Sequence, residues 1–223
     1  MSLTPADTAT PTSKPTSRWL GLGVAGFAVA SLTGFLVWEH VLKDDFVAKR
    51  FGVVVPGVLY RSGQISDAML EPTVREHNIA AIIDLNGIEP DLPGQSAEIE
   101  MAQEMKLDHY RFQLGGDGTG DIARYADAIE TIAKCRTEGK PVLVHCAAGS
   151  QRTGGVVASY RVLVLKEDPK NAVAEMARYD WDPVEDVDLL AFVNGHMPQL
   201  AEMLVERGVI DEVPNPLPLL PTP

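Results

Sequence analysis

Apolar and polar positions divide the chain into two unlike parts. Residues 19–38, from Trp19 to Trp38, contain no charged side chain. A helix of that length would span about 30 Å, the hydrocarbon thickness of a bilayer. Tryptophan at both ends suits the two membrane interfaces. The pattern predicts a transmembrane helix and hence a single-pass membrane protein.

Two other interpretations of this segment stay open. In a cleaved signal peptide, Lys14 and Arg18 would form the basic region and Ala28-Val29-Ala30 the cleavage site, although the apolar run continues to Trp38. The segment could also be a buried core helix. Basic residues lie on both sides of it, Arg18 before and Lys43 after, so the positive-inside rule predicts no orientation.

Beyond residue 50 the pattern is that of an α/β domain. Short apolar runs predict two strands within 52–60 and further strands at 79–85, 109–114 and 141–145. Helical patterns cover 67–77, 96–105, 121–136, 153–165, 171–179 and 187–206. Because strands alternate with helices, we predict a central, mostly parallel sheet flanked by helices on both faces.

Composition marks the two ends of the chain. Residues 1–18 are rich in Thr, Ser and Pro and are predicted to be a disordered tail. Residues 209–223 form a Pro-rich tail, predicted to be disordered or polyproline-like. Between the tails we predict the transmembrane helix at 19–38, a juxtamembrane linker at 39–50 and one domain at 51–208.

The charge and the cysteine content exclude several classes of partner. The formal net charge is −12, and an acidic chain repels polyanions, which disfavours nucleic acid. Inositol polyphosphates and anionic lipid headgroups are disfavoured for the same reason, unless a local basic patch compensates. The two cysteines and five histidines show no metal-ligand spacing. We therefore predict no metal and no other cofactor.

The segment 142–154 is the one that indicates a chemistry. It is typical of a buried strand, a loop and the start of a helix, and ligands of open α/β sheets bind at the carboxyl ends of strands. Amides of the loop and of the helix N-terminus can converge on an anion. Gly149 lets the backbone curl without a Cβ clash. The predicted phosphate-binding residues are Ala147, Ala148, Gly149, Ser150, Gln151 and Arg152.

Cys146 lies at the base of this loop. The loop amides and Arg152 would lower the pKa of its thiol, and the thiolate could then attack phosphorus and form a covalent intermediate. The planar guanidinium of Arg152 can hold two phosphate oxygens at once. Thr153 could donate its hydroxyl to the sulfur, and His145 is predicted to support the loop by bonding nearby backbone. Cys135 is predicted to be a structural thiol, with a redox disulfide to Cys146 as the alternative.

The arrangement His145-Cys146-x5-Arg152-Thr153 resembles the HCx5R(S/T) signature of the protein tyrosine and dual-specificity phosphatase superfamily. The stretches 59–64 and 81–86 are similar to strands of its compact bacterial dual-specificity-like members. The resemblance covers residues 51–208. It implies the cysteine-phosphatase fold, no metal, and hydrolysis of phosphate monoesters through a phosphocysteine.

The family also uses an aspartic acid upstream of the cysteine to protonate the leaving oxygen. Asp117 and Asp121 both fall in that region. Asp121 opens a helix and suits an N-cap. Asp117 lies in the glycine-rich stretch 115–120, which could close over substrate. We predict Asp117 as the acid, with Asp121 as the alternative.

Neutral residues within the loop bear on the substrate. Family members that prefer inositol phosphates often carry Lys there, whereas Ala147, Ala148, Ser150 and Gln151 are uncharged. This favours phosphorylated protein, with phosphotyrosine first and phosphoserine or phosphothreonine also open. Three alternatives remain: a phosphoinositide or inositol phosphate phosphatase, a non-catalytic phosphate-binding scaffold, and a rhodanese-like sulfurtransferase.

Overall fold

The structure, a computed structural model, describes residues 27, 29–38, 43–88 and 93–221. The chain divides into two compact units, residues 1–43 and 44–223. The tail predicted at 1–18 lies outside the described residues. Residues 44–50, which the sequence analysis placed in a linker, belong to the second unit.

The membrane prediction is wrong. Of the segment 19–38, residues 19–26 and 28 lie outside the described residues, and residues 29–37 are helical. Across the part of the chain that the structure describes, no helix has the length and apolar character needed to cross a membrane. A single-pass membrane location is therefore not supported.

The elements from residue 43 onward alternate as the pattern predicts. In chain order they are α1 (Lys43–Phe46), β1 (Gly52–Val55), β2 (Leu59–Ser62), α2 (Asp67–His77), β3 (Ala81–Asp84), α3 (Pro93–Met105), β4 (Asp108–Arg111), α4 (Ile122–Thr137), β5 (Val142–His145), α5 (Gln151–Leu163), α6 (Pro169–Arg178) and α7 (Val187–Glu206). The bounds of α2 and α7 agree with the sequence prediction. The helix after the phosphate loop begins at Gln151 rather than 153, because the Ser150 carbonyl already accepts the Gly154 amide.

The strands form one sheet in the order β1-β2-β5-β3-β4. β1 pairs with β2 in antiparallel fashion, and the other neighbours are parallel. The prediction of a mostly parallel central sheet is thus confirmed. β5 lies in the middle of the sheet, so the residues that follow it emerge between those that follow β2 and β3.

Successive residues of the central strands face opposite sides of the sheet and build two apolar clusters. Val144 and Ile83 pack with residues of α4, α5, α6 and α7. Leu143 and Ile82 pack with Leu70 of α2 and with its neighbours. This alternation is what a strand buried on both faces requires. Helices therefore cover both faces, which leaves the strand ends as the accessible edge.

Part of the Pro-rich C-terminal segment, predicted from the sequence to be disordered or polyproline-like, packs against the domain. The side chain of Leu220 is 1% exposed and lies in the larger apolar cluster, together with Leu217 at its margin. The side-chain amide of Asn194, on α7, makes two hydrogen bonds with the Leu220 backbone. Nδ2 donates to the Leu220 carbonyl and Oδ1 accepts from the Leu220 N–H, each at 2.8 Å. The core extends past residue 208 through this contact.

The Asn194 contact gives a stability prediction. Asn194→Ala should remove both hydrogen bonds and lower the free energy of unfolding by about 1–3 kcal/mol. At this chain length that corresponds to a fall in Tm of roughly 2–4 °C per kcal/mol, measurable by calorimetry. The exposed Glu202→Ala on the same helix is the control, with an expected change below about 0.5 kcal/mol. An Asn194→Ala protein as stable as the control would contradict the assigned role.

Candidate active site

The candidate site lies at the carboxyl edge of the sheet. Ser62 of β2, His145 of β5 and Asp84 of β3 stand side by side at the ends of their strands. The Leu85 amide continues the pairing by donating to the His145 carbonyl at 3.0 Å. The chain after β5 therefore enters a gap between two neighbouring strand ends, and Cys146 is the first residue in it.

The loop after Cys146 is held by its carbonyl oxygens. The Ala147 carbonyl accepts from the backbone amide of Gln64 at 3.2 Å. The Ala148 carbonyl accepts from Arg50 Nη1 at 2.7 Å, and the Gly149 carbonyl accepts from Arg61 Nη2 at 2.8 Å. In a trans peptide the N–H points opposite to the C=O. Carbonyls engaged from outside therefore turn the loop amides toward the interior. Together with amides of the first turn of α5, they form a concavity suited to an anion.

Gly149 is required for this curl, as the sequence analysis expected. Its φ is +81°, a conformation that L side chains rarely adopt. A Cβ at this position would lie 2.4 Å from the Gly63 nitrogen and 2.7 Å from the Ser62 carbonyl carbon. The loop and the end of β2 thus approach more closely than any other residue type would allow.

The Cys146 sulfur accepts hydrogen bonds from the surrounding loop. The side chain is 1% exposed, and the Gly149 amide donates to Sγ at 3.1 Å. Burial raises the pKa of the thiol, but hydrogen bonds from the hydroxyl and amide of Thr153, the charge of Arg152 and the Gly149 amide together lower the pKa below its ordinary value. These contacts shift the ionisation of Cys146 toward the thiolate, the form that nucleophilic chemistry requires.

Arg152 has donors that the protein does not use. Its Nη1 approaches the Leu85 carbonyl at 3.4 Å. Its Nε is buried and, within the described residues, has no hydrogen-bond partner. A buried donor without a partner costs about 1–3 kcal/mol. An anion held in the loop would remove that cost, which fits the phosphate-binding role predicted for this residue.

The partner of His145 differs from the prediction. The sequence analysis expected a bond to nearby backbone, whereas Nε2 lies 3.1 Å from Glu98 Oε1 of α3. Glu98 also contacts His109 Nε2 at 2.9 Å and accepts from Gln64 Nε2 at 2.9 Å. Burial lowers the pKa of His145, but the charge and hydrogen bond of Glu98 outweigh it and raise the pKa to about 9. The backbone was the wrong partner because α3 brings a carboxylate against the end of β5.

The same region contains a cluster of metal-ligating side chains. Atoms of Asp84, Glu98 and His109 lie within 4.8 Å of one another. Asp84 already binds Arg111 at 2.8 Å and accepts the Asn86 amide at 2.8 Å. Glu98 is bound by the two histidines. Since cationic protein groups already neutralise both carboxylates, we assign no cation to this cluster.

The glycine-rich stretch carries Asp117 on an exposed turn. Its Oδ1 accepts from the Thr119 amide at 2.9 Å and from the Thr119 hydroxyl at 2.8 Å. These two bonds lower the pKa of the Asp117 carboxyl. Asp121 accepts from the Ala123 amide at 2.9 Å and is the N-cap of α4, which confirms its structural interpretation.

The same stretch lies directly against the phosphate loop. A Cβ on Gly118 would come within 3.3 Å of the Gln151 carbonyl carbon. The Tyr125 hydroxyl of α4 donates to the Gly118 carbonyl at 2.6 Å and anchors the turn. Burial raises the pKa of Tyr125, and the nearby charges of Asp117 and Cys146 add to the rise. One buried phenol therefore lies within electrostatic reach of both predicted catalytic groups.

The charged groups that contact the loop were not predicted from the sequence. Arg61 is 1% exposed, and its Nη1 lies 3.2 Å from Glu175 Oε1 of α6. Its guanidinium carbon stacks over Tyr179, 3.9 Å from the ring centroid. Arg50, placed in a linker by the sequence analysis, contacts the loop directly and pairs with Asp180 at 2.7 Å. An arginine inside a short apolar strand was a signal for Arg61. Nothing local marks the acidic partners.

Cys135 is buried on α4, and its burial raises the pKa of the thiol. Both cysteines are free thiols in this structure. Cys135 therefore has the inert, packed environment expected of a structural thiol.

Comparison with known proteins places this geometry in a family. Residues 57–166 match a family model described as a polymorphic toxin system, DSP-PTPase phosphatase. The dual specificity protein phosphatase OPG106 of vaccinia virus is 26% identical over 133 residues, which are 55% of this chain and 74% of the viral protein.

Two solved structures share the fold. The crystal structure of P. aeruginosa TpbA has a TM-score of 0.57 at 19% identity and covers 72% of this chain and 91% of its own. The core catalytic domain of the PP-IP phosphatase Siw14 from S. cerevisiae also has a TM-score of 0.57, at 16% identity, covering 73% and 95% respectively. From the signature loop, the sheet order and these relatives, we conclude that the chain belongs to the protein tyrosine/dual-specificity phosphatase superfamily and is an enzyme of that phosphatase class.

Proposed function

We propose that this protein hydrolyses phosphate monoesters, with phosphotyrosine in proteins as the preferred substrate, through a phosphocysteine on Cys146. One observation carries the proposal. A buried thiol, whose pKa is lowered by hydrogen bonds, lies at the base of an anion-binding loop, and the Arg152 Nε beside it is buried without a partner among the described residues. These are the nucleophile and the phosphate clamp that phosphoryl transfer needs.

The proposed reaction has two steps. The Cys146 thiolate attacks phosphorus, an S–P bond forms, the ester P–O bond breaks, and the leaving oxygen takes a proton from Asp117. Water then attacks the phosphocysteine and gives a proton to the Asp117 carboxylate. The S–P bond breaks, and hydrogen bonds from Thr153 and Gly149 stabilise the departing thiolate. Inorganic phosphate is the second product.

In this scheme, Asp117 must exchange its hydrogen bonds with Thr119 for contacts with the substrate. Its bonds to Thr119 favour the carboxylate, which suits the base of the second step. The acid of the first step must be protonated, so a bound substrate has to displace the Thr119 contacts. Glycines flank Asp117 on both sides and permit such a rearrangement.

The charge around the loop supports a singly phosphorylated substrate. Arg50, Arg61 and Arg111 lie near the site, and each is paired with a carboxylate. Arg152, whose buried Nε has no hydrogen-bond partner within the described residues, is the arginine proposed to bind phosphate. An inositol polyphosphate would need several unpaired cations, so this arrangement favours phosphoprotein over the inositol phosphate alternative. A non-catalytic scaffold would have no need for an activated thiol.

Substitution of the nucleophile tests the core of the proposal. Full-length Cys146→Ser should lose hydrolysis of an aryl phosphate by at least about 10³-fold, because a serine hydroxyl is not ionised at neutral pH. Hydrolysis should be measured in the presence of chelator. Cys135→Ser is the matched control and should remain active. Activity that survives in Cys146→Ser would sink the phosphocysteine mechanism, and an inactive but folded parent protein would favour the scaffold.

The choice of acid is tested by paired substitutions. Asp117→Ala should lower kcat by roughly 10²–10⁴-fold and remove the loss of activity at high pH, since only a protonated acid can donate. Asp121→Ala should instead lower the free energy of unfolding by about 0.5–2 kcal/mol through loss of the N-cap. pH–rate profiles and thermal unfolding of both variants separate the two effects. A larger kcat loss in Asp121→Ala would reverse the assignment.

Substrate preference is tested by measuring the kinetics of the two substrates separately. We expect kcat/KM for a phosphotyrosyl peptide to exceed that for an inositol polyphosphate by about 10-fold or more, a discrimination that contacts outside the reacting group can supply. Released phosphate is the measurement for both substrates. A reversed order would establish the inositol phosphate alternative in place of phosphoprotein.

A further inference from the structure

The signature histidine lies in a buried network of ionisable side chains behind the phosphate loop. Glu98 Oε1 lies 3.1 Å from His145 Nε2 and 2.9 Å from His109 Nε2. The Glu98 and His145 side chains are 2% and 1% exposed. Glu98 and His145 are 47 positions apart in the chain, so only the packing of α3 against the sheet brings them together.

Other ionisable groups face this pair from neighbouring elements. Asp84 Oδ1 of β3 lies 4.0 Å from His145 Nε2, while its Oδ2 binds Arg111 of β4. His109 of β4 contacts the other side of the Glu98 carboxylate. Cys146 follows His145 in the sequence, and its sulfur interacts electrostatically with the His145 ring. His145 therefore lies between two carboxylates and a thiol.

A buried carboxylate cannot remain ionised without a cationic partner. Burial raises the pKa of Glu98, but the charge and hydrogen bonds of His145 and His109 outweigh it and hold the pKa below its usual range. Burial lowers the pKa of His145, but Glu98 and then Asp84 raise it to about 9. Both pKa shifts favour the same state, in which Glu98 is negatively charged and His145 is positively charged.

We propose that Glu98 is a positioning residue for Cys146, which acts by holding His145 as an imidazolium at the end of β5, next to the thiolate. The imidazolium adds positive charge within electrostatic reach of the sulfur. Glu98 reaches the nucleophile only through His145, and it touches no substrate. The proposal rests on the proposed function in taking Cys146 as the nucleophile.

The pH range of this effect follows from the direction of the shift. A histidine whose pKa is raised on folding keeps its favourable charge at acid and neutral pH and loses it as the pH rises through about 9. The ion pair is therefore complete throughout the neutral range in which the thiolate must form. Without Glu98, burial would leave His145 neutral there, and the thiol would ionise at higher pH.

The test measures alkylation of Cys146 by iodoacetamide against pH in the full chain, with peptide mass spectrometry separating Cys146 from Cys135. Glu98→Gln keeps the size of the side chain and removes its charge. It should slow alkylation about 3–10-fold at pH 6, because fewer thiols are ionised. The rates should converge with the parent above the thiol pKa. A general loss of packing would change the rate at every pH.

Two further variants serve as controls. His109→Gln leaves the Glu98–His145 pair in place and should shift the alkylation profile less than Glu98→Gln does. Asp127→Asn removes a carboxylate from the ion pair with Arg207, which lies outside the site, and should leave the profile unchanged. A Glu98→Gln profile equal to that of the parent would overturn the proposal, as would equal shifts in Glu98→Gln and His109→Gln.

A second measurement holds even where Glu98→Gln does not fold. NMR titration of the His145 ring in the unsubstituted chain should show a protonated imidazole up to at least about pH 8. A ring that loses its proton near pH 6.5 or below would refute the ion pair. Neither readout depends on turnover. Activity that persists in Cys146→Ser would therefore end the proposed function without touching the coupling of Glu98 to His145.

Discussion

The phosphate loop must keep its amides turned toward one point, and much of the molecule serves that constraint. Peptide dipoles placed side by side repel one another, so the loop would relax if its carbonyls were free. Arg50, Arg61 and the Gln64 amide hold three consecutive carbonyls from outside. Gly149 supplies the positive φ that closes the curl. The binding concavity is thus prepared before any phosphate arrives.

Two ion pairs behind the loop are buried, which is energetically expensive. A buried ion pair seldom adds net stability, because desolvation offsets the attraction of its charges. The pairs of Arg61 with Glu175 and of His145 with Glu98 are therefore better explained by geometry than by stability. Each ties the loop or the strand before it to a separate helix, α6 or α3. Preorganised charge of this kind is what lowers the barrier in phosphoryl transfer.

The stretch that contains Asp117, the proposed acid, differs from the phosphate loop in its contacts. Its Gly118 carbonyl is anchored by Tyr125, yet Asp117 itself is exposed and accepts hydrogen bonds from Thr119 of the same turn. Rigid anion binding and an adjustable acid are compatible because they use different segments. In the proposed mechanism, the buried loop fixes phosphorus relative to sulfur, and the exposed turn responds to the leaving group.

The sequence by itself determined the features that depend on local pattern. Alternating apolar runs predicted the sheet and its helices, the bounds of α2 and α7 were correct, and the HCx5R(S/T) spacing identified the loop and the family. Only the tertiary structure decided which distant side chains meet: Glu98 with His145, Arg61 with Gly149, and Asn194 with Leu220. The membrane helix predicted from hydropathy was wrong, since no helix among the described residues has the length and apolar character to cross a membrane. Leu220 of the Pro-rich tail packs into the core, a contact that composition does not reveal. Periodicity is encoded along the chain, but the partners of buried charges come from separate elements, and packing alone brings them together.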